Sequence, residues 1–209
     1  MFAPRALKRL KAGTDDLHAQ AERHVRILDA DATDDVYRRY LERMYGFHAP
    51  LEARFAGHAP LAAAGFAAEQ RTKASLLVAD LARLGVRAAT LPCCAQLPVL
   101  GDLARGIGVA YVIEGSTLGG RFILTHMRPA LGHLIPHATS FLAGYGALTG
   151  PMWKQFASLC ERLLVEDGAI DRAVVGARDT FAAMIGWLGE RELDPPHPYL
   201  RASVREVAS

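Results

Sequence analysis

The chain has 209 residues, of which 51% are hydrophobic and 22% charged, a composition typical of a soluble globular protein with one sizeable core. Its net charge of +2 gives no argument for nucleic acid or an anionic membrane as a partner. The three cysteines, two of them adjacent at Cys93 and Cys94, form neither a disulfide framework nor a C-x-x-C metal motif. The basic N-terminus lacks the apolar core of a secretory signal, so we expect a cytoplasmic protein.

Apolar periodicity predicts helices along most of the chain. Apolar or small residues spaced by three and four predict the first helix over residues 4–28. A second helix is predicted to begin after a cap at Thr33 or Asp34 and to end near Gly57. A third is predicted over about 67–84, where a glycine follows.

The second half of the chain begins with a loop, because two prolines interrupt the stretch RAATLPCCAQLP. An apolar helix is predicted over about 99–127. Residues 129–150 mix Gly, Pro and His, which favours short helical pieces and turns. Two further helices are predicted over about 151–166 and 168–191.

No strand-like alternation extends over more than a few residues, so the predicted fold class is all-α. We expect a single multihelical domain over residues 1–192. The Pro-rich segment that follows, residues 193–209, is predicted to be a C-terminal tail outside the core.

Residues 106–124 nearly have the length and apolarity of a membrane span. Glu114 lies near their centre, and a charge at mid-membrane costs roughly 2.5–3.5 kcal/mol on insertion scales. Nothing else in the chain resembles a second span. We therefore expect no membrane association and a buried helix in a soluble protein.

A polar stripe surrounds His18 in the predicted first helix. Its members, spaced by three and four residues, are Lys11, Thr14, His18 and Glu22. A neutral imidazole binds a metal through one nitrogen, and Glu22, one turn onward, can accept a hydrogen bond from the other. His18 alone is better explained as a partly buried helix residue with an ordinary i, i+4 partner.

Three glycines interrupt the apolar helix predicted over 99–127. Gly115, Gly119 and Gly120 each cost about 0.5–1 kcal/mol relative to alanine inside a helix, so their clustering needs a reason. Gly115 and Gly119, spaced i, i+4, leave one side of the helix without side chains. Either a neighbouring helix or a flat ligand can lie against that backbone. Ser116 adds a hydroxyl that can hold water or bond back to the helix.

Together the two motifs resemble the haem oxygenase family. The proximal pattern L-K-x-x-T-x-x-x-H-x-x-A-E covers residues 10–22, and the distal pattern YVIEGSTLGG covers 111–120. The distal pattern is similar to the bacterial branch, especially the enzymes encoded beside bacteriophytochromes. Further similar stretches are RTKASLLVADLARLG at 71–85 and FLAGYG at 141–146. The resemblance extends over roughly residues 5–190.

The resemblance implies a single-domain helical fold with haem between the first helix and a kinked distal helix. It implies that His18 is the axial iron ligand and that Glu22 is its hydrogen-bond partner. Gly115, Ser116 and Gly119 are implied to form the catalytic distal face. The other residues implied to contact haem are Lys11, Thr14, Gly120, Lys154, Arg162 and Phe181. Of these, Lys11 is implied to contact a propionate and Phe181 to form part of the pocket wall.

The implied activity is the opening of haem to biliverdin, carbon monoxide and ferrous iron with dioxygen and reductant. The electrons are expected from a separate donor of the ferredoxin or flavodoxin type, and a bacteriophytochrome is a candidate acceptor of the bilin. Ser116 stands where mammalian-type members carry an aspartate that organises distal water, so any distal water must be anchored differently.

Two alternatives remain open at the level of the sequence. The first is a non-catalytic haem-binding or haem-transfer protein on the same fold, which would need the same His18 and glycine cleft. The second is a helical enzyme of related shape, such as a thiaminase-like or di-iron protein. Di-iron sites use repeated E-x-x-H patterns, and the chain shows no convincing set of them.

Overall fold

The computed structural model describes residues 5–189, so the predicted tail at 193–209 and the domain boundary at 192 lie outside the described residues. Over residues 5–189 the chain forms α-helices, short 3-10 turns and loops, without strands, which confirms the predicted all-α class. The helices are α1 (Arg5–Ala12), α2 (Asp15–Glu22), α3 (Asp34–Ala56), α4 (Ala59–Ala63), α5 (Ala74–Arg83), α6 (Leu103–His126), α7 (Arg128–Leu131), α8 (Ser140–Ala143), α9 (Thr149–Leu163) and α10 (Asp167–Gly189).

The prediction of one continuous first helix is wrong, because the chain leaves the helical conformation at Gly13 and Thr14, between α1 and α2. The break packs against α10: a Cβ added at Gly13 would lie only 2.6 Å from Cγ1 of Val174. Arg178 of α10 also donates to the Gly13 carbonyl oxygen at 2.7 Å. After α2 the chain turns through a 3-10 segment, Arg26–Leu28, and does not continue as a helix.

The second predicted helix is confirmed as α3. The Thr33 hydroxyl accepts a hydrogen bond from the Val36 amide at 3.3 Å, and Gly57 follows the last helical residue. The third predicted helix instead divides into a 3-10 turn, Ala68–Arg71, and the shorter α5. The break predicted between the last two helices at 167–168 lies earlier in the chain, because α10 already begins at Asp167.

The central contact of the core joins α6 to α10. A Cβ added at Gly108 would overlap the backbone of Ala173, and one added at Gly176 would overlap the carbonyl of Arg105. By length and composition α6 could cross a membrane, and half of its most apolar 18-residue stretch is buried inside the protein. Its backbone contact with α10 is the packing of a core helix, as predicted.

We expect Gly108→Ala to lower the free energy of unfolding by at least about 2 kcal/mol, because the added methyl group forces two packed backbones apart. Urea unfolding followed by circular dichroism measures the change. Gly186→Ala is the matched control, since Gly186 lies in α10 with no atom within 4 Å of an added Cβ. Equal stability of the two variants would contradict the close contact.

Candidate active site

His18 lies on α2, near the break with α1. Its side chain is 59% exposed, and its Nδ1 lies 3.4 Å from Oε1 of Glu22. The ring packs edge-on against Phe181 of α10, with centroids 5.8 Å apart and planes at 74°. The Glu22 carboxylate therefore lies beside Nδ1, and Nε2 is the nitrogen suited to bind a metal.

The open side of α6 is formed by Gly115 and Gly119. A Cβ added at Gly119 would meet no atom within 4 Å, and one added at Gly115 would meet only Cζ3 of Trp153 at 4.0 Å. Gly120 is different, because an added Cβ would clash with the carbonyl oxygen of Leu142. Gly120 therefore packs against α8 on the other side of the helix, and its predicted contact with the cofactor remains a prediction.

The Ser116 hydroxyl bonds back to its own helix. Its Oγ donates to the Ile113 carbonyl oxygen at 2.9 Å, and the Thr117 hydroxyl shares the same acceptor at 3.2 Å. Of the two roles that the sequence left open for Ser116, this geometry corresponds to the bond back to the helix.

Tyr111 links the two sides of the site. The Thr14 side chain lies beside its hydroxyl, and burial raises the pKa of Tyr111. Thr14, which was predicted to contact the cofactor, is buried, and its hydroxyl donates to the Leu10 carbonyl oxygen at 2.8 Å. His18 lies four residues beyond Thr14, and Gly115 lies four residues beyond Tyr111. The two sides therefore begin near one shared point, and α10 packs against both α2 and α6.

Three predicted cationic contacts lie on the surface. Lys11 is exposed and pairs with Asp15 at 2.9 Å. Because the helix breaks between Lys11 and His18, these two residues do not belong to one polar stripe along a continuous helix. Lys154 is exposed on α9, next in sequence to the Trp153 that faces Gly115. Arg162 donates to the Ala64 carbonyl oxygen at 3.1 Å, so its side chain is directed towards the end of α4.

A buried polar cluster behind the glycine face was not predicted. Glu114 of α6, whose side chain is only 2% exposed, forms ion pairs with Arg71 and Lys73, the latter at 3.2 Å. It also accepts a hydrogen bond from the Tyr145 hydroxyl at 2.8 Å. A glutamate inside an apolar helix was the available signal, because a buried charge requires partners.

The cluster continues to α3 through Glu52, which accepts hydrogen bonds from the backbone amides of Lys73 and Ala74. Glu52 also lies 3.3 Å from Nδ1 of His48, which is fully buried. Burial lowers the pKa of His48, and it lowers the pKa of Lys73 although Glu114 opposes that shift.

The chain matches the family described as "Heme oxygenase" over residues 4–190. A curated relative named "Heme oxygenase", from Xanthomonas campestris pv. campestris (strain 8004), is 33% identical over 163 residues, which span 74% of this chain and 87% of the relative.

Among solved structures, the chain is similar to the NO- and CO-bound heme oxygenase from Neisseria meningitidis. The TM-score is 0.71 at 26% identity, and the match covers 88% of this chain and 90% of that one. The family match spans nearly the whole chain, and the relative and the solved structure are both haem oxygenases. The chain therefore belongs to the haem oxygenase family, as an all-α enzyme that degrades haem.

Proposed function

We propose that haem binds between α2 and α6, with His18 as its axial iron ligand and with Gly115 and Gly119 against the opposite side of the ring. The enzyme then opens haem to biliverdin, carbon monoxide and ferrous iron with dioxygen and reductant. The observation that carries the proposal is the combination of an exposed, oriented imidazole with a helix face that lacks side chains. A flat ligand with a metal at its centre fits both features.

The proximal residues support this assignment because they surround the imidazole ring of His18. The Glu22 carboxylate lies 3.4 Å from Nδ1 of His18, a position that favours the tautomer in which the lone pair of Nε2 is available for iron. The edge contact with Phe181 restricts rotation of the same imidazole. Haem supplies the redox chemistry when it is bound, and the protein supplies orientation and electrostatics.

The distal residues support the assignment because they let a planar ligand approach the backbone of α6 closely. Without side chains at Gly115 and Gly119, the helix backbone can lie in contact with a planar ligand and exclude water from it. Trp153 borders Gly115 and packs on Tyr111 with ring centroids 6.1 Å apart, which gives the face an aromatic wall. Lys154 and Lys11, both exposed, are the proposed cationic contacts for the propionates at the haem edge.

The reaction consumes electrons, so we also propose a separate electron donor of the ferredoxin or flavodoxin type. A bilin-binding protein such as a bacteriophytochrome is the proposed acceptor of the product, and the cytoplasm the proposed location. The resemblance of the distal motif to the bacterial branch supports these partners.

Hemin titration of the apoprotein tests the proposed site directly. We expect saturation at one hemin per chain and the spectrum of a histidine-ligated ferric haem. Saturation without a histidine ligand, or no uptake, would contradict the assignment.

The orienting role of Glu22 gives a separate prediction. Glu22→Gln is expected to lower turnover by about 10- to 100-fold, as is usual when the hydrogen-bond partner of a metal-binding histidine is changed. Resonance Raman measurement of the iron–histidine stretch in the ferrous complex should show a shift to lower frequency. Glu69→Gln, a change of the same kind at an exposed site in a 3-10 turn, is the control. Equal spectra and rates in both variants would rule out the proposed role.

A further inference from the structure

A short segment of the chain contacts α6 on the side away from the open glycine face. The carbonyl oxygen of Leu142 lies so close to Gly120 that an added Cβ would clash with it. Gly144 has a φ of +57°, and a Cβ there would clash with Cγ2 of Thr117. Only glycine at both positions allows this approach.

The third contact is polar. The Tyr145 hydroxyl donates to Oε1 of Glu114 at 2.8 Å and lies 2.8 Å from Nζ of Lys73. Lys73 in turn donates to the same Glu114 oxygen at 3.2 Å, and Arg71 pairs with the other oxygen. Loss of the hydroxyl would leave both Glu114 and Lys73 with one hydrogen bond fewer in a buried site.

The three contacts form one stripe along the helix. Residues 142, 144 and 145 meet Gly120, Thr117 and Glu114 in turn, so the segment runs antiparallel to α6. At about 100° per residue this stripe points roughly 180° away from the mean direction of Gly115 and Gly119. The segment therefore supports the helix directly behind its open face.

On the open side, the next turn of α6 receives little support. Leu118 is 39% exposed and Phe122 is 59% exposed. Three glycines over residues 115–120 also weaken the helix itself. Contacts from behind therefore restrain its position.

We propose that residues 142–145 are a clamp that sets the position of the glycine face of α6, with Tyr145 as a positioning residue that acts through Glu114. The proposal rests on the proposed function, because the face it positions is the one assigned to haem. The clamp itself is a property of the protein alone and can be measured without haem.

Hydrogen exchange of the apoprotein tests the clamp. In Tyr145→Phe we expect the amides of residues 113–120 to exchange about three- to tenfold faster, the equivalent of one lost hydrogen bond. Tyr37→Phe is the control, because the Tyr37 hydroxyl is also buried and donates to the Ala138 carbonyl oxygen at 2.6 Å. Unchanged exchange in Tyr145→Phe, or equal acceleration in Tyr37→Phe, would overturn the proposal.

A second pair of variants tests the clamp without changing the polar cluster. Gly144→Ala is expected to accelerate the same amides, whereas Gly146→Ala is not. Both glycines have a positive φ, +57° and +56°, but a Cβ at Gly146 would meet no atom within 4 Å. Both substitutions strain the backbone, so only the contact with α6 distinguishes them. Equal exchange at 113–120 in the two variants would overturn the clamp.

The effect on haem gives a readout that separates the two proposals. In Tyr145→Phe we expect hemin affinity to remain within about threefold and the biliverdin to contain a larger share of minor isomers, since a looser face orients the reaction less strictly. A single unchanged isomer pattern would overturn the positioning role. Faster exchange in a protein that takes up no hemin would support the clamp and contradict the proposed haem site.

Discussion

Replacing His18 with alanine is expected to abolish the histidine-ligated spectrum of the ferric haem complex and to lower turnover by more than about 100-fold, a larger loss than a change to the partner of a ligand produces. Among the residues that the structure describes, this imidazole is the exposed group of α2 that lies beside a carboxylate and packs on Phe181. Soret spectroscopy and bilin formation measure the two effects.

Two further measurements make the His18→Ala result specific. Added imidazole should restore part of the ligated spectrum, because the substitution leaves a space of that shape. His133→Ala is the control: His133 is also exposed and also pairs with a carboxylate, that of Asp34, but it lies elsewhere on the surface. A ligated spectrum and full turnover in His18→Ala would show that the iron is held by another residue.

Replacing Gly119 with leucine is expected to block haem binding while leaving the fold intact. A leucine side chain at this position would extend into the space assigned to the ring, where an added Cβ meets no protein atom within 4 Å. Helix propensity favours leucine over glycine by up to about 1 kcal/mol, so the apoprotein should be at least as stable as the wild type. Loss of hemin uptake would then report on the cleft and not on unfolding.

Gly186→Leu is the matched control for this second substitution. Gly186 is helical and exposed, and an added Cβ meets nothing within 4 Å. Both variants should show similar thermal unfolding. Only Gly119→Leu should lose hemin uptake and turnover, by at least about 100-fold, because its side chain overpacks the space assigned to the ring. Normal uptake in Gly119→Leu would contradict the proposed sandwich.

The features that were predictable from sequence are those that depend on neighbours along one helix. Glu22 follows His18 by one turn, and Gly115 precedes Gly119 by one turn, so each pair follows from helical spacing alone. The structure places Glu22 beside His18 and leaves the Gly115–Gly119 face open. The roles of these residues towards haem remain predictions.

The features that were missed depend on which segments meet in the folded chain. Gly120 carries the same sequence signal as Gly119, and only the position of Leu142 assigns it to packing. The break at Gly13 and Thr14 had a local signal, which apolar periodicity obscured: a glycine, then a threonine at the N-cap position, then two aspartates.

The buried cluster was missed for the same reason. Glu114 was interpreted only as an obstacle to membrane insertion, although a buried carboxylate also requires cationic partners. Those partners, Arg71 and Lys73, lie about forty residues earlier in the chain. Their pairing follows from tertiary structure and not from local spacing.

Aerobic turnover of the purified haem complex tests the central claim most directly. With a reductant and a ferredoxin-type donor under air, the Soret band should disappear as biliverdin accumulates, with one carbon monoxide released per haem. Anaerobic incubation of the same complex is the control and should leave the Soret band in place. A complex that binds hemin through His18 but keeps its Soret band under air and forms no bilin would contradict a haem-degrading enzyme and indicate a haem carrier.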